Sequence, residues 1–256
     1  MIADLRDRLR LRHSLGIAMD VQQRLLPGRP PQVRGLDVAG HSTYCDETGG
    51  DYYDFLVLDQ ATSDAVLVVL GDVMGHGVAA ALVMAGVRSV LRDRAPTAGD
   101  LAELMNRLNR LIAVDHGGDR FMTMHLSVID AKTRSMRWVS AGHDPVIVYD
   151  PATATFSEGG EGELPLGVMD DTEYREHASA PLQPGQVLFI GTDGVWELPD
   201  ATGDQFGKDR LREVIREAAA GTADEIAVAV RERLTAFRGD TKSVDDVTFV
   251  IVKVLS

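Results

Sequence analysis

Ala65-Val66-Leu67-Val68-Val69-Leu70-Gly71 is an unbroken apolar run of strand length, and Asp72 follows it at once. A short run rich in β-branched residues and bounded by glycine reads as a buried strand. The same construction recurs at Gln186-Val187-Leu188-Phe189-Ile190-Gly191-Thr192, which runs into Asp193. Near the end of the chain the order is reversed: Asp245 and Asp246 come first, then Val247-Thr248-Phe249-Val250-Ile251-Val252. Further strands are expected at 36–44, 52–58, 122–130, 135–141 and 145–149, with helical periodicity at 77–94, 99–114, 207–219 and 223–236. Strands cluster in runs and do not alternate regularly with helices. That pattern predicts an α+β fold with mainly antiparallel sheets, not a doubly wound parallel one.

In an antiparallel pair the start of one strand lies beside the end of its neighbour. Two strands that end in aspartate and one that begins with it can therefore bring three carboxylates to one rim of a sheet. A fourth candidate lies in Gly49-Gly50-Asp51-Tyr52-Tyr53-Asp54-Phe55. Side chains alternate faces along a strand, so Asp51 and Asp54 are expected to point opposite ways. The glycine pair permits close backbone approach and favours Asp51 for the site. Carboxylates gathered on one rim repel, and no Lys or Arg lies within these motifs to neutralise them. A divalent cation, or two, offsets that repulsion. All-oxygen ligation points to Mg²⁺ or Mn²⁺ rather than structural zinc. A pair of such ions makes a hydrolytic site that activates water against phosphorus. Taken singly, each aspartate also fits a turn or a cap.

Composition narrows the rest. The 256 residues suit one to two domains. At 45% hydrophobic and 25% charged, the chain has a globular balance. Aspartate outnumbers glutamate 27 to 12, and the net charge of −13 argues against a nucleic-acid partner. The single cysteine, Cys45, fits a reducing compartment. No apolar run is long enough for a membrane helix, and Met1 to His13 lacks the apolar core of a secretory signal. A cytoplasmic protein without a membrane partner is expected.

Residues 2–26 read as one helix ended by Pro27. Leu11, Leu15, Ala18, Gln22 and Leu25 fall at alternating spacings of four and three, continued less regularly by Ile2, Leu5 and Leu9. This stripe serves either the helix's own core or a homodimer through residues 2–26. The division expected is a helix over 1–30, dimerising or regulatory, and one domain over 31–256.

Seven motifs stand in order: Val21-Gln22-Gln23-Arg24-Leu25-Leu26-Pro27, the Gly49 to Phe55 stretch, Gly71-Asp72-Val73-Met74-Gly75-His76-Gly77, Ala141-Gly142-His143-Asp144-Pro145, Leu164-Pro165-Leu166-Gly167, Thr192-Asp193-Gly194-Val195-Trp196-Glu197 and Asp245-Asp246-Val247-Thr248. From about residue 18 onward the chain resembles the SpoIIE/RsbU-type branch of the PPM (type-2C) metal-dependent protein serine/threonine phosphatases. The resemblance implies an α-β-β-α sandwich with a two-metal site, Mn²⁺ or Mg²⁺, at one edge of the paired sheets. By motif, Asp72 bridges both ions, Asp51 and the Val73 carbonyl complete the second, and Asp193 and Asp245 hold the first. It implies hydrolysis of phosphoserine or phosphothreonine on a STAS-domain anti-anti-sigma partner in a bacterial partner-switching pathway. Many eukaryotic relatives carry a histidine, proposed as general acid, where this chain has Met74. His76 is the candidate substitute, and fastening of the glycine turn is its structural alternative. Ser140 and His143 suggest a hydrolase triad, but no nucleophile elbow accompanies them. Gly71 to Gly77 lacks the ending of a P-loop. The competing function is a catalytically silent, phosphatase-like interaction module.

Overall fold

The computed structural model describes residues 2–58, 64–97, 99–116, 119–159 and 162–255, without the side chains of 2–5, 7–12, 97 and 116. In chain order the elements are α1 (Ile2–Gln23), β1 (Leu36–Thr43), β2 (Tyr52–Val57), β3 (Ala65–Val73), α2 (Val78–Arg94), α3 (Leu101–His116), β4 (Met122–Asp130), β5 (Ser135–Ala141), β6 (Val146–Asp150), β7 (Thr155–Gly159), β8 (His177–Ala178), β9 (Val187–Gly191), α4 (Gly207–Ala218), α5 (Ala223–Arg238) and β10 (Val247–Val254). Single 3₁₀ turns occupy Ala95–Thr97 and Asp193–Val195.

Two five-stranded sheets, ordered β1-β10-β9-β6-β7 and β2-β3-β4-β5-β8, stack face to face, and the strand pairs within them are antiparallel. Period-two alternation explains the layering. On β3, Val66, Val68 and Leu70 face the other sheet, where Leu188, Ile190, Val250 and Val252 meet them in a dry central layer. The alternate residues Leu67, Val69 and Val73 face outward and are covered by Met84, Val87 and Leu91 of α2 and Met105 and Leu108 of α3. On the opposite outer face, Phe189, Phe249 and Ile251 are covered by Leu211 and Ile215 of α4 and Ile226 and Val230 of α5. Each such fully buried side chain stabilises the fold by roughly 1.5–3 kcal/mol. Both faces of β3 and β10 are therefore apolar, which is why their sequences read as continuous rather than alternating runs. The result is the expected α-β-β-α sandwich.

The apolar runs foretold most elements but not all. β7, Thr-Phe-Ser-Glu-Gly, is a largely exposed edge strand beside β6, so no apolar signal marks it. β8 is only two residues long. The leading helix ends at Gln23, before the expected residue 26, and Arg24 and Leu25 continue as a turn. Within its stripe, Leu15 and Ala18 are half-buried and Gln22 is buried, while Leu25 and Leu26 pack on the core beneath α2. The Arg88 side chain of α2 donates to the Leu25 carbonyl at 2.6 Å. Ile17 and Val21, off the stripe, are exposed. The side chains of Ile2, Leu5, Leu9 and Leu11 lie outside the described residues.

Candidate functional site

Register brings the aspartates together. Tyr52 pairs with Gly71, so one step further along the same ladder Asp51 stands opposite Asp72. In the other sheet β9 ends at Gly191, which pairs with Phe249, so Asp193 and Asp245 leave the sheet at the same end. The carboxylates thus come as two pairs, one from each sheet, and the rim is shared by the two layers rather than belonging to one sheet. A hydrogen bond crosses between them: the Thr192 hydroxyl donates to Asp51 Oδ2 at 2.9 Å.

Glycines set the approach distances. A Cβ on Gly50 would stand 2.6 Å from the Val73 carbonyl oxygen, so only glycine lets that carbonyl lie against the Asp51 loop. A Cβ on Gly194 would collide with the Asp246 carbonyl. Gly75 and Gly77 both adopt positive φ, 82° and 80°, in the turn from β3 into α2.

Asp246 performs a task that the motif alone did not disclose. Its buried carboxylate accepts from the Cys45 amide at 2.8 Å and the Gly50 amide at 2.9 Å, pinning the loop that carries Asp51 to the start of β10. Gln22 grips the same loop at Gly49. Its amide donates to the Gly49 carbonyl at 2.7 Å, and its carbonyl oxygen accepts from the Gly49 amide at 3.2 Å. The doubled aspartate was the sequence signal for Asp246; Thr192 and Gln22 offered none beyond membership in a motif.

The electrostatics are those of uncompensated negative charge. Burial, reinforced by the charges of Asp193 and Asp245, pushes the Asp72 carboxyl up to about 7. Burial and then the charges of Asp72 and Asp246 raise Asp51 well above the ordinary carboxylate range. Asp193 is raised by burial and by Asp245, and Asp245 is itself raised by burial, with Asp246 adding to the effect. Among the described residues, none of these four carboxylates has a Lys or Arg ion pair. Lys208 of α4 is engaged by Asp144 at 2.8 Å and lies over the Trp196 ring. Among the described residues no three acids, histidines or cysteines already stand in ligating arrangement. The carboxylates converge at electrostatic range, and the donor set (oxygen-only, anionic and without a basic partner) has the chemistry that a hard divalent cation requires.

The remaining candidates separate cleanly. Asp54 points to the opposite side of β2, where Arg92 donates to it twice at 2.7 Å, Tyr52 OH at 2.7 Å and the Phe55 amide at 2.8 Å. His76 is exposed at the rim, with Nδ1 2.7 Å from Asp46 Oδ2; the same carboxylate holds Lys242 at 3.0 Å. The N-cap of α2 is Gly77, and no side chain caps it. Ser140 and His143 form no nucleophile–base pair, because the Ser140 hydroxyl donates to the His143 carbonyl and His143 Nδ1 faces the Thr123 hydroxyl at 3.0 Å.

Comparison with known proteins agrees with this geometry. Residues 62–255 match the model of the family described as stage II sporulation protein E (SpoIIE). Phosphoserine phosphatase RsbU of Bacillus subtilis is 26% identical over 243 residues, covering 95% of this chain and 70% of the relative. The chain spans only 40% and 59% of two further curated relatives. Among solved structures, the SiaA-PP2C domain of Pseudomonas aeruginosa superposes with a TM-score of 0.83 at 23% identity, covering 96% of this chain and 98% of that one. RsbX, solved in complex with magnesium, superposes with a TM-score of 0.66 at 17% identity, covering 88% of this chain and 98% of that one. A family match over well more than half of the chain, on this fold, decides the assignment: the chain belongs to the SpoIIE family, within the SpoIIE/RsbU/RsbX branch of the PPM-type serine/threonine protein phosphatases.

Proposed function

We propose that this chain hydrolyses phosphoserine or phosphothreonine in a protein partner, with two Mn²⁺ or Mg²⁺ ions held by Asp51, Asp72, the Val73 carbonyl, Asp193 and Asp245. The observation that carries the reading is the convergence of four carboxylates from both sheets with no cationic side chain paired to them among the described residues. Such an arrangement costs stability unless it serves a ligand of opposite charge. Bound there, divalent ions supply a water nucleophile at neutral pH and stabilise charge on the phosphoryl oxygens. The chain's residues supply the rest. Thr192 orients Asp51, Asp246 and Gln22 hold the Asp51 loop, and the turn through Gly75 and Gly77 presents the start of α2 to a phosphate. His76, oriented through Nδ1 by Asp46, has Nε2 for a proton to the leaving oxygen. An unaltered pH–rate profile in His76→Gln would remove it from the reaction and leave it as a clasp between loops.

RsbU's description as a phosphoserine phosphatase and the RsbX complex with magnesium support the substrate and ion classes. A STAS-domain anti-anti-sigma factor is the partner proposed, from the family alone. The domain division proposed keeps residues 1–30 as a separate element through which two copies pair; a monomeric mass in light scattering at high concentration would exclude that pairing. The test of the function is phosphate release from p-nitrophenyl phosphate and from phosphorylated STAS proteins of the same genome, with Mn²⁺ titrated and with EDTA. Metal-dependent turnover is expected. Its absence with every divalent ion would favour the silent interaction module instead.

A further inference from the structure

We propose that the groove between α5 and the adjoining ends of β1 and β10 binds an acidic stretch of the phosphorylated partner and so contributes to substrate choice. This inference rests on the phosphatase reading only for how the bound chain continues toward the carboxylate rim.

Two cavities lie end to end on this side of the molecule. One, of about 250 Å³, is bounded by Asp245, Glu197 and the exposed Val244, so it opens at the carboxylate rim. The other, of about 150 Å³, is bounded by Arg231, Leu234 and Arg238 of α5 with His41 of β1. Leu198 and Ser243 belong to the walls of both. A peptide with its phosphorylated residue at the rim would therefore run past these shared walls toward the second cavity.

Helix periodicity explains what lines that path. α5 buries Ile226, Val230 and Leu234 against the sheet, and Arg231 and Arg238 follow on the neighbouring stripe, two turns apart. Among the described residues neither guanidinium has a carboxylate within ion-pair distance, although the chain carries 39 acidic side chains. Arg238 Nε is also buried without a hydrogen-bond acceptor. An orphaned buried donor is costly, and a donor on a cation favours an anionic acceptor. His41 adds no charge at neutral pH: burial, then the field of Arg231, lowers it to about 4, and its Nε2 lies 2.9 Å from the Thr43 hydroxyl. The recognition chemistry is thus two guanidinium forks above an apolar floor of Leu198, Leu234 and Val247. That combination suits aspartate or glutamate side chains on an extended segment, whose methylene stems rest on the floor.

The experiment uses two labelled peptides bearing a non-hydrolysable phosphonate analogue of phosphoserine, flanked on both sides by glutamates in one and alanines in the other. Fluorescence anisotropy in Mn²⁺ is expected to show about tenfold tighter binding of the glutamate peptide to the wild-type chain, equivalent to ~1.4 kcal/mol. In Arg231→Glu/Arg238→Glu that preference should vanish or invert. Circular dichroism checks the fold, and Arg231→Gln/Arg238→Gln replaces the double reversal if it does not fold. Equal binding of both peptides by the wild type, or a preference that survives loss of both arginines, overturns the groove. The hydrolysable versions are assayed in parallel. A retained binding preference with no phosphate release from either peptide or from p-nitrophenyl phosphate would sink the phosphatase reading while leaving the groove standing.

Discussion

Asp51 and Asp54 sit three residues apart at the beginning of the same strand, and both are buried, yet their electrostatic surroundings are opposite. Asp54 meets a guanidinium, a phenol and an amide, so its charge is fully partnered by the chain itself. Asp51 meets the hydroxyls of Thr192 and Thr248, neutral groups, and then more carboxylates. A buried anion that the protein neutralises belongs to the fold, whereas one that it leaves among like charges is held ready for something from outside. The difference arises from strand alternation: one side of β2 faces α2 with its arginines, and the other faces the meeting line of the two sheets.

The largest effect that can sharpen this contrast is on turnover. Asp72→Asn should lower kcat by at least about 10²–10³-fold, the range for losing one preorganised charged group, with the fold intact. In EDTA the same variant should melt no lower than wild type, because it removes repulsion. Phosphate-release kinetics and a melting curve check both halves, and near-wild-type turnover would break the comparison on the Asp51 side.

The next effect is on stability. Arg92→Leu leaves the buried Asp54 without its counter-charge, with only the Tyr52 phenol and the Phe55 amide beside it, and should destabilise by about 3 kcal/mol. Adding Asp54→Asn to it should recover part of that loss. Urea melts of the two single variants and the double variant read the coupling; additive losses would show that the two side chains do not stabilise each other.

A smaller effect is on pH. Asp72 has its carboxyl raised from the ordinary range to about 7 in the fold. The folded state therefore binds more protons than the unfolded one across that interval. Stability in EDTA should fall as pH rises from about 4 to about 7 and level off above. Mn²⁺ should flatten the curve, since the ion replaces the proton as the neutralising charge. Melting temperatures across that range and above it, with and without Mn²⁺, test this; a rise with pH in EDTA would contradict it.

The smallest effect concerns the loop itself. Gln22→Ala strands the amide and carbonyl of Gly49 and should cost about 1–2 kcal/mol. It should also weaken Mn²⁺ binding measured by calorimetry, because Asp51 follows in that loop. Unchanged affinity would show that α1 supports the fold without reaching the site.

Much of this was readable in advance. The apolar runs ending or beginning in aspartate located β3, β9 and β10, because a strand buried on both faces admits few other residue types along its length. The same runs placed Asp72, Asp193 and Asp245 at strand edges, and alternation separated Asp51 from Asp54. β7 escaped because an exposed edge strand leaves no apolar trace. The destination of Asp54 was equally hidden: nothing in local spacing links it to Arg92, which arrives from a helix packed across the strand.

What the order of residues determined by itself was therefore the set of elements, the class of fold and the chemical kind of site, since these follow from hydrophobic period and from residue type. Only the tertiary structure decided that the carboxylates divide between two sheets, that Asp246 and Gln22 clasp the Asp51 loop, and that two arginines of α5 stand without acidic partners among the described residues. Those facts depend on which strand ends meet in space. Asp246 reaches Gly50 across 196 positions of chain, and a contact at that separation leaves no mark on local sequence.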